Sequence, residues 1–119
     1  MGHCYASIKI YHKALSESKE VSLLVDTGST YTWINKSTLE GLGLQTEGQR
    51  RFNTIEGKVI EREIGEAVAE YDGLRATTKV VFGLEGDAQV LGVYTLEGLG
   101  LEVDPSTKKL KEVEVLLAV

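Results

Sequence analysis

The sequence has few of the residues that cross-link or interrupt a chain. Cys4 is the only cysteine and Pro105 the only proline among 119 residues, so an intrachain disulfide is excluded. No apolar stretch is long enough to span a bilayer, and the N-terminal Met-Gly-His-Cys-Tyr-Ala-Ser has no apolar signal core. Because a lone thiol fits a reducing compartment, we expect a cytoplasmic protein with no membrane partner.

Basic residues are also in the minority. The chain has 13 Lys and Arg against 18 Asp and Glu, which gives a net charge of −5. No basic stripe is present, so we expect no nucleic-acid partner. Hydrophobic residues make up 42% and charged residues 26%, as in ordinary soluble globular proteins. The length predicts a single domain over residues 1–119.

Apolar residues recur mainly with a period of two, which predicts a mostly β fold. The run from Val21 to Val25 indicates a buried strand, preceded by a polar turn at Ser16–Glu20. Ile64–Tyr71 predicts another strand, and Asp72-Gly73 after it is a strong hairpin signal because both residues tolerate positive φ. Leu110–Val119 predicts a last strand.

Helical signals are short, and one of them is repeated. Ser37 to Glu40 fits a capping box, with Gly41 and Gly43 ending the helix after one or two turns. The seven residues Thr-Leu-Glu-Gly-Leu-Gly-Leu occur at 38–44 and again, 57 positions later, at 95–101. Two interpretations remain open at this point: unrelated helix ends with similar needs, or a fold built from two similar halves. The third glycine of a dinucleotide-binding loop is missing after both copies.

One segment carries the candidate chemistry. The apolar strand that ends at Val25 runs directly into Asp26-Thr27-Gly28. An Asp and a Gly after a strand most often mark a turn, so the tripeptide alone is weak evidence for a catalytic site. Here the strand is apolar enough to be buried, which would fix the carboxylate in place, and Gly28 permits close approach of another segment.

The segment Leu24-Val25-Asp26-Thr27-Gly28-Ser29-Thr30 resembles the active-site motif of aspartic proteases. Trp33-Ile34 follows at the spacing of the Trp-Val in pepsin-like members, and Val90-Leu91-Gly92 is similar to the second hallmark of the family, two apolar residues before a Gly. The chain has one Asp-Thr-Gly, whereas pepsin-like enzymes carry two in a much longer chain. It therefore resembles the retroviral-type, or retropepsin-like, members, over about residues 20–115.

This resemblance implies a mostly β, partly barrel-like fold with one or two short helices and a flap hairpin. It implies a homodimer in which Asp26 and its mate activate a water that hydrolyses an extended peptide, with no cofactor and no metal. By the same resemblance, Val90, Leu91 and Gly92 support the Asp loop. Thr27 would bond the opposite loop, and Ser29 could hydrogen-bond the Asp26 carboxylate.

The resemblance also predicts a flap at Arg51–Ile64 with its tip at Glu56-Gly57, and it implies that Thr54, Ile55, Glu56 and Gly57 of this flap bind the substrate. No flap Tyr is available to pair with Trp33, so Trp33 could equally be a packed core residue. The apolar C-terminal segment 113–119 could lie in the dimer interface or form an ordinary strand of the monomer.

Other functions compete with protease activity. The same fold could be a non-catalytic peptide-binding or assembly module, or a self-assembling structural domain. A Cys–His hydrolase or zinc site at His3, Cys4 and His12 lacks the required spacing. The carboxylates of the central strand region indicate a solvated face: Glu61, Glu63, Glu66 and Glu70.

Overall fold

The computed structural model describes residues 3–14 and 17–114. The strands are β1 Tyr5–Tyr11, β2 Ser18–Val25, β3 Thr32–Asn35, β4 Gly48–Asn53, β5 Val59–Tyr71, β6 Leu74–Gly83, β7 Val90–Leu91, β8 Leu101–Val103 and β9 Leu110–Glu112. The helices are α1 Lys36–Gly41 and α2 Val93–Leu99. The prediction of a mostly β fold with one or two short helices is confirmed. Neither helix in the described part of the chain has the length or apolar character to cross a bilayer.

Seven strands form one sheet in the order β1-β2-β7-β3-β6-β5-β4. The end of β1 also pairs with β5, which closes the sheet into a ring and leaves β4 as an extension of β5. β8 and β9 form a separate small hairpin. The inward positions of the ring and the buried faces of both helices make one apolar core, which includes Ile8, Ile10, Leu23, Ile34, Leu39, Phe82 and Leu91.

The hairpin signal at Asp72-Gly73 is confirmed. The two residues have φ values of 49° and 83° and connect β5 to β6, which is the pair of positive values that a two-residue hairpin turn needs. In β6 the alternation expected from the sequence gives a strand whose second half is buried.

The repeat in the sequence corresponds to two similar halves of the fold. A shift of 57 residues carries β1, β2, β3 and α1 onto β5, β6, β7 and α2. The pairing obeys the same shift, because Leu24 lies beside Val90 in β2–β7 while Val81 lies beside Trp33 in β3–β6. Trp33 also pairs with Val90, its own equivalent. A local two-fold axis therefore passes between these two residues.

Two local predictions were wrong, and a third was confirmed only in part. The polar residues Ser18 to Glu20 begin β2 instead of forming a turn, since they pair with the end of β1 at an exposed edge. The capping box at Ser37 is absent: the chain enters α1 directly from β3, with Asn35 at the N-cap and no side-chain cap. The predicted last strand, Leu110–Val119, begins as β9 at Leu110–Glu112 but does not include Val113 and Glu114, and its residues 115–119 lie outside the described residues.

Candidate active site

Asp26 lies directly after β2, at the point where β2 runs parallel to β7. Its backbone N–H donates to the carbonyl oxygen of Leu91 at 3.0 Å. The residue itself is exposed. The sheet therefore fixes the backbone at Asp26 while its carboxylate is open to solvent.

Hydrogen bonds within the loop shape the surroundings of this carboxylate. The Gly28 N–H donates to Asp26 Oδ1 at 3.0 Å, and the Ser29 N–H donates to the Asp26 carbonyl oxygen at 3.0 Å. A Cβ on Gly28 would lie 3.2 Å from Asp26 Oδ1. The Ser29 hydroxyl donates to the Tyr31 carbonyl oxygen at 2.8 Å. The hydroxyl is thus bonded to the loop backbone, whereas the resemblance implied a hydrogen bond to the Asp26 carboxylate.

Gly92 is the point where the second half crosses this loop. A Cβ there would lie 2.4 Å from the Tyr31 carbonyl oxygen and 2.9 Å from that of Ser29, distances at which backbone must move. The next two residues hold the loop: the Val93 N–H donates to Ser29 O at 2.8 Å, and the Tyr94 N–H to Thr30 O at 2.9 Å. The first turn of α2 therefore uses N–H groups that have no partner inside the helix to bind the Asp loop.

Three buried threonine hydroxyls lie behind the loop, and the sequence reasoning missed them as a group. Thr95 Oγ1 is 2.6 Å from Thr32 Oγ1 and 2.7 Å from Thr78 Oγ1. Thr32 Oγ1 also accepts the Gly92 N–H at 3.0 Å. The hydroxyls thus connect β3, β6 and α2 beneath the loop. Thr78 gave a signal, since it occupies an inward position in an otherwise apolar alternation.

The β4–β5 hairpin coincides with the segment predicted as a flap. Its turn is held by the Thr54 N–H donating to Lys58 O at 2.8 Å, and Gly57 has φ of 85°. At the tip, Thr54 is half-buried, Ile55 is fully exposed, and Glu56 and Gly57 are exposed. Among the described residues, no hydrogen bond joins this tip to the Asp26 loop.

The base of the hairpin carries an aromatic cluster: Tyr31, Trp33, Phe52 and Tyr94. Phe52 in β4 lies edge-on to Trp33, with ring centroids 5.0 Å apart, and to Tyr31 at 6.2 Å. Tyr31 in turn contacts Tyr94 at 5.9 Å. Trp33 is half-buried. The hairpin thus supplies Phe52 as the partner of Trp33, a role that sequence reasoning looked for only in a tyrosine.

An apolar groove of about 480 Å³ opens beside Thr27. It runs along α2 and the β8–β9 hairpin, and Val93, Leu96, Val103 and Val113 line it. Val113 is 39% exposed. Apolar surface therefore adjoins the Asp loop at Thr27.

Several charged side chains of β5 form ion pairs with neighbouring elements. Arg62 donates two hydrogen bonds to Asp87, at 2.7 and 3.0 Å, and its hydrogen bonding holds the pKa of the Asp87 carboxyl below its usual range. Three of the carboxylates predicted to form a solvated face make ion pairs: Glu63 with Lys36, Glu66 with Lys79, and Glu70 with Arg75. Among residues 3–14 and 17–114, no three His, Cys, Asp or Glu side chains converge as a metal site would require.

Comparison with known proteins agrees with this geometry. The sequence pattern of the family described as Aspartyl protease matches residues 13–78, more than half of the chain and the part that contains Asp26. A solved retropepsin-like aspartic protease from Rickettsia conorii superposes with a TM-score of 0.50 at 21% identity, covering 87% of this chain and 85% of that one. No curated protein matches. The chain belongs to the aspartyl protease family and has the fold of its retropepsin-like members.

Proposed function

We propose that the protein is a single-domain subunit of a homodimeric aspartic endopeptidase, in which Asp26 and Asp26 of a second subunit together activate the water that attacks a peptide bond. The observation that carries this proposal is an exposed carboxylate held on a rigid loop in a chain that offers only half of a dyad. The residue 57 positions after Asp26 is Gly83. The second half of the chain therefore supplies no equivalent carboxylate.

A second copy would complete the dyad, and the surface beside Asp26 favours such a partner. The groove that starts at Thr27 is apolar and includes the half-exposed Val93 and the exposed Val113. A two-fold axis through the Asp loops would bring two such surfaces together, because a symmetric dimer buries the same patch on both subunits. Thr27 would then hydrogen-bond the opposite loop.

Two adjacent carboxylates cannot both ionise cheaply, so they share one proton and titrate as a pair. The ionised one would accept a proton from the water, and the protonated one would donate to the carbonyl oxygen of the peptide. This use of a shared proton is the general pattern of aspartic proteases and needs neither a covalent intermediate nor a cofactor. The Gly28 N–H at Asp26 Oδ1 would orient the carboxylate toward the water.

The β4–β5 hairpin would act as the flap. Its tip, Thr54 to Gly57, makes no hydrogen bond to the Asp loop within the described residues, and Ile55 exposes its whole side chain. Burial of a fully exposed apolar side chain gives a large favourable free energy, and an extended peptide beneath the hairpin would bury Ile55. Val90, Leu91 and Gly92 would support the Asp loop. Val90 and Leu91 pair with the end of β2, the Leu91 carbonyl oxygen accepts the Asp26 N–H, and Gly92 makes the close approach. The single, half-buried thiol of Cys4 suits a reducing compartment, so we assign the cytoplasm as the site of action.

The test is cleavage of casein between about pH 3 and pH 8 by the wild type and by Asp26→Asn, at concentrations where sedimentation shows a dimer. Asp72→Asn is the matched control, because it removes the same charge at the distant β5–β6 turn and Asn tolerates the positive φ there. We expect cleavage by the wild type and Asp72→Asn only. Normal cleavage by Asp26→Asn would overturn the mechanism. Absence of cleavage by a folded wild-type dimer would favour the non-catalytic peptide-binding module.

A further inference from the structure

Arg50 is a basic residue on the same face of the β4–β5 hairpin as Phe52. The two are separated by one residue in β4, and side chains alternate between the faces of a strand. The Arg50 guanidinium carbon lies 6.0 Å from the centroid of the Tyr31 ring, and Phe52 contacts both Tyr31 and Trp33. This face is therefore turned toward the loop that carries Asp26.

The positive charge of Arg50 has no anionic partner within salt-bridge distance among residues 3–14 and 17–114. Its cross-strand neighbour is Arg62, whose guanidinium is already bound to Asp87 through two hydrogen bonds. The remaining partner is the Tyr31 ring, which can cover only one face of the guanidinium plane. The N–H groups at the edge of that plane remain available, and they match a carboxylate in geometry.

We propose that Arg50, together with Tyr31, Trp33 and Phe52, forms a substrate subsite that selects an acidic side chain of the bound peptide. This inference rests on the proposed function, because it takes the hairpin to close over the substrate. The aromatic rings bind the apolar part of the side chain, and the Arg50 guanidinium binds its carboxylate. The chain as a whole carries a net charge of −5, which repels acidic peptides at long range. The selection therefore depends on this one local contact.

A purely structural role for Arg50 makes a different prediction. If the guanidinium served only to hold β4 against Tyr31, its loss would lower thermal stability without changing the choice between Glu and Gln in a peptide. Arg51 provides a matched control for this comparison. It is the next residue in the same strand, it is exposed, and its side chain points to the opposite face of the hairpin, beside Glu61.

The experiment begins with overlapping synthetic peptides of casein. Peptides that are cleaved are then resynthesised with Glu or Gln at each position around the cleaved bond. We expect the wild type and Arg51→Gln to prefer Glu at one position by roughly threefold to tenfold in kcat/KM. Arg50→Gln should lose the preference, and Arg50→Glu should favour Lys at that position. Unfolding curves of each variant establish that the fold is retained.

Equal cleavage of Glu and Gln peptides by the wild type at every position would overturn the inference and leave the protease function intact. Equal loss of preference in Arg51→Gln and Arg50→Gln would also overturn it. If the wild type cleaves no peptide, the proposed function fails, and fluorescence anisotropy with the same peptides decides the inference. A preference for binding Glu peptides that disappears in Arg50→Gln supports the subsite, and equal binding of both peptides rejects it.

Discussion

The two halves of the chain have similar backbone folds but different residues at the position of the candidate catalytic carboxylate. Both place a strand, a short helix and a Leu-rich exit at the same offset of 57 residues, and the strand register between them is symmetric. Asp26 in the first half corresponds to Gly83 in the second. The duplicated pattern is therefore scaffold, and the residue that could perform chemistry occurs once. Under the proposed function, each chain therefore supplies one carboxylate of a dyad, which is why that function needs a second copy.

The repeated heptapeptide makes the comparison sharper, because its two copies have identical residues in different surroundings. Its leucines are buried in both copies: Leu39, Leu42 and Leu44 in the first, and Leu96, Leu99 and Leu101 in the second. Its first residue differs, since Thr38 is half-buried whereas Thr95 is fully buried among Thr32 and Thr78. The hydroxyl connection beneath the Asp loop is thus specific to the second copy.

The largest expected effect comes from Gly92→Ala. Its Cβ would lie 2.4 Å from the Tyr31 carbonyl oxygen, so the Asp loop or α2 would have to move. We expect a loss of about 3 to 5 kcal/mol in the free energy of unfolding, at the upper end for single substitutions. Gly98→Ala, inside the helix that Gly92 precedes, is the control, since its Cβ would meet only the Ala76 Cβ at 3.3 Å. Denaturant unfolding of both variants measures the difference, and similar losses would show that the crossing is not as tight as described.

Thr95→Val should be the next most costly change. The valine keeps the shape but removes the oxygen between Thr32 and Thr78, leaving their buried hydroxyls short of a partner. We expect a loss of about 1 to 3 kcal/mol. Thr38→Val, the same substitution in the first copy, should change stability by less than about 0.5 kcal/mol. Chemical denaturation of the pair tests the asymmetry, which would be refuted if the two valines cost the same.

Much of this difference between the two halves could not be predicted from the sequence. The alternation of apolar residues and the Asp72-Gly73 turn predicted the β fold, because both follow from local backbone preferences. The repeat indicated two similar halves as one of two open interpretations. The threonine cluster joins residues up to 63 positions apart, and no local pattern reports such a contact. Likewise, the sequence offered Ser37 as a cap, but the direct continuation of β3 into α1 decided where that helix begins. The contact of Trp33 with Phe52 depends on how the hairpin folds back, which the sequence does not specify.

The loops before β3 and β7 each contain an aspartate, but of the two only Asp87 forms an ion pair among the described residues. Asp87→Asn tests that difference. Asp87 accepts hydrogen bonds from Arg62 and from the Leu84 N–H, which lower its pKa. Its stabilising contribution is therefore present above the pKa of an unfolded aspartate, about 3.9, and is lost as pH falls through the lower pKa of the folded protein.

At neutral pH we expect Asp87→Asn to cost about 1 to 2 kcal/mol, and the cost should shrink toward zero under acid. Asp26→Asn, in the corresponding loop of the first half, should change stability by less than about 0.5 kcal/mol because the residue is exposed. Unfolding of both variants as a function of pH measures this, and a cost for Asp87→Asn that does not change with pH would contradict the ion-pair explanation.

The smallest effects are expected to be equal in the two halves. Each helix is followed by a glycine with left-handed backbone: Gly43, two residues after the end of α1, has φ of 81°, and Gly100, directly after α2, has φ of 71°. The added Cβ of an alanine would meet His12 Cδ2 at 4.0 Å in the first case and nothing within 4 Å in the second. Packing therefore does not distinguish the two sites, and each Gly→Ala should cost about 1 kcal/mol from backbone conformation alone. Thermal unfolding should place the two variants within a few tenths of a kcal/mol of each other. A clear inequality would mean that the halves differ in flexibility at their helix ends, so that their symmetry stops at the register of the strands.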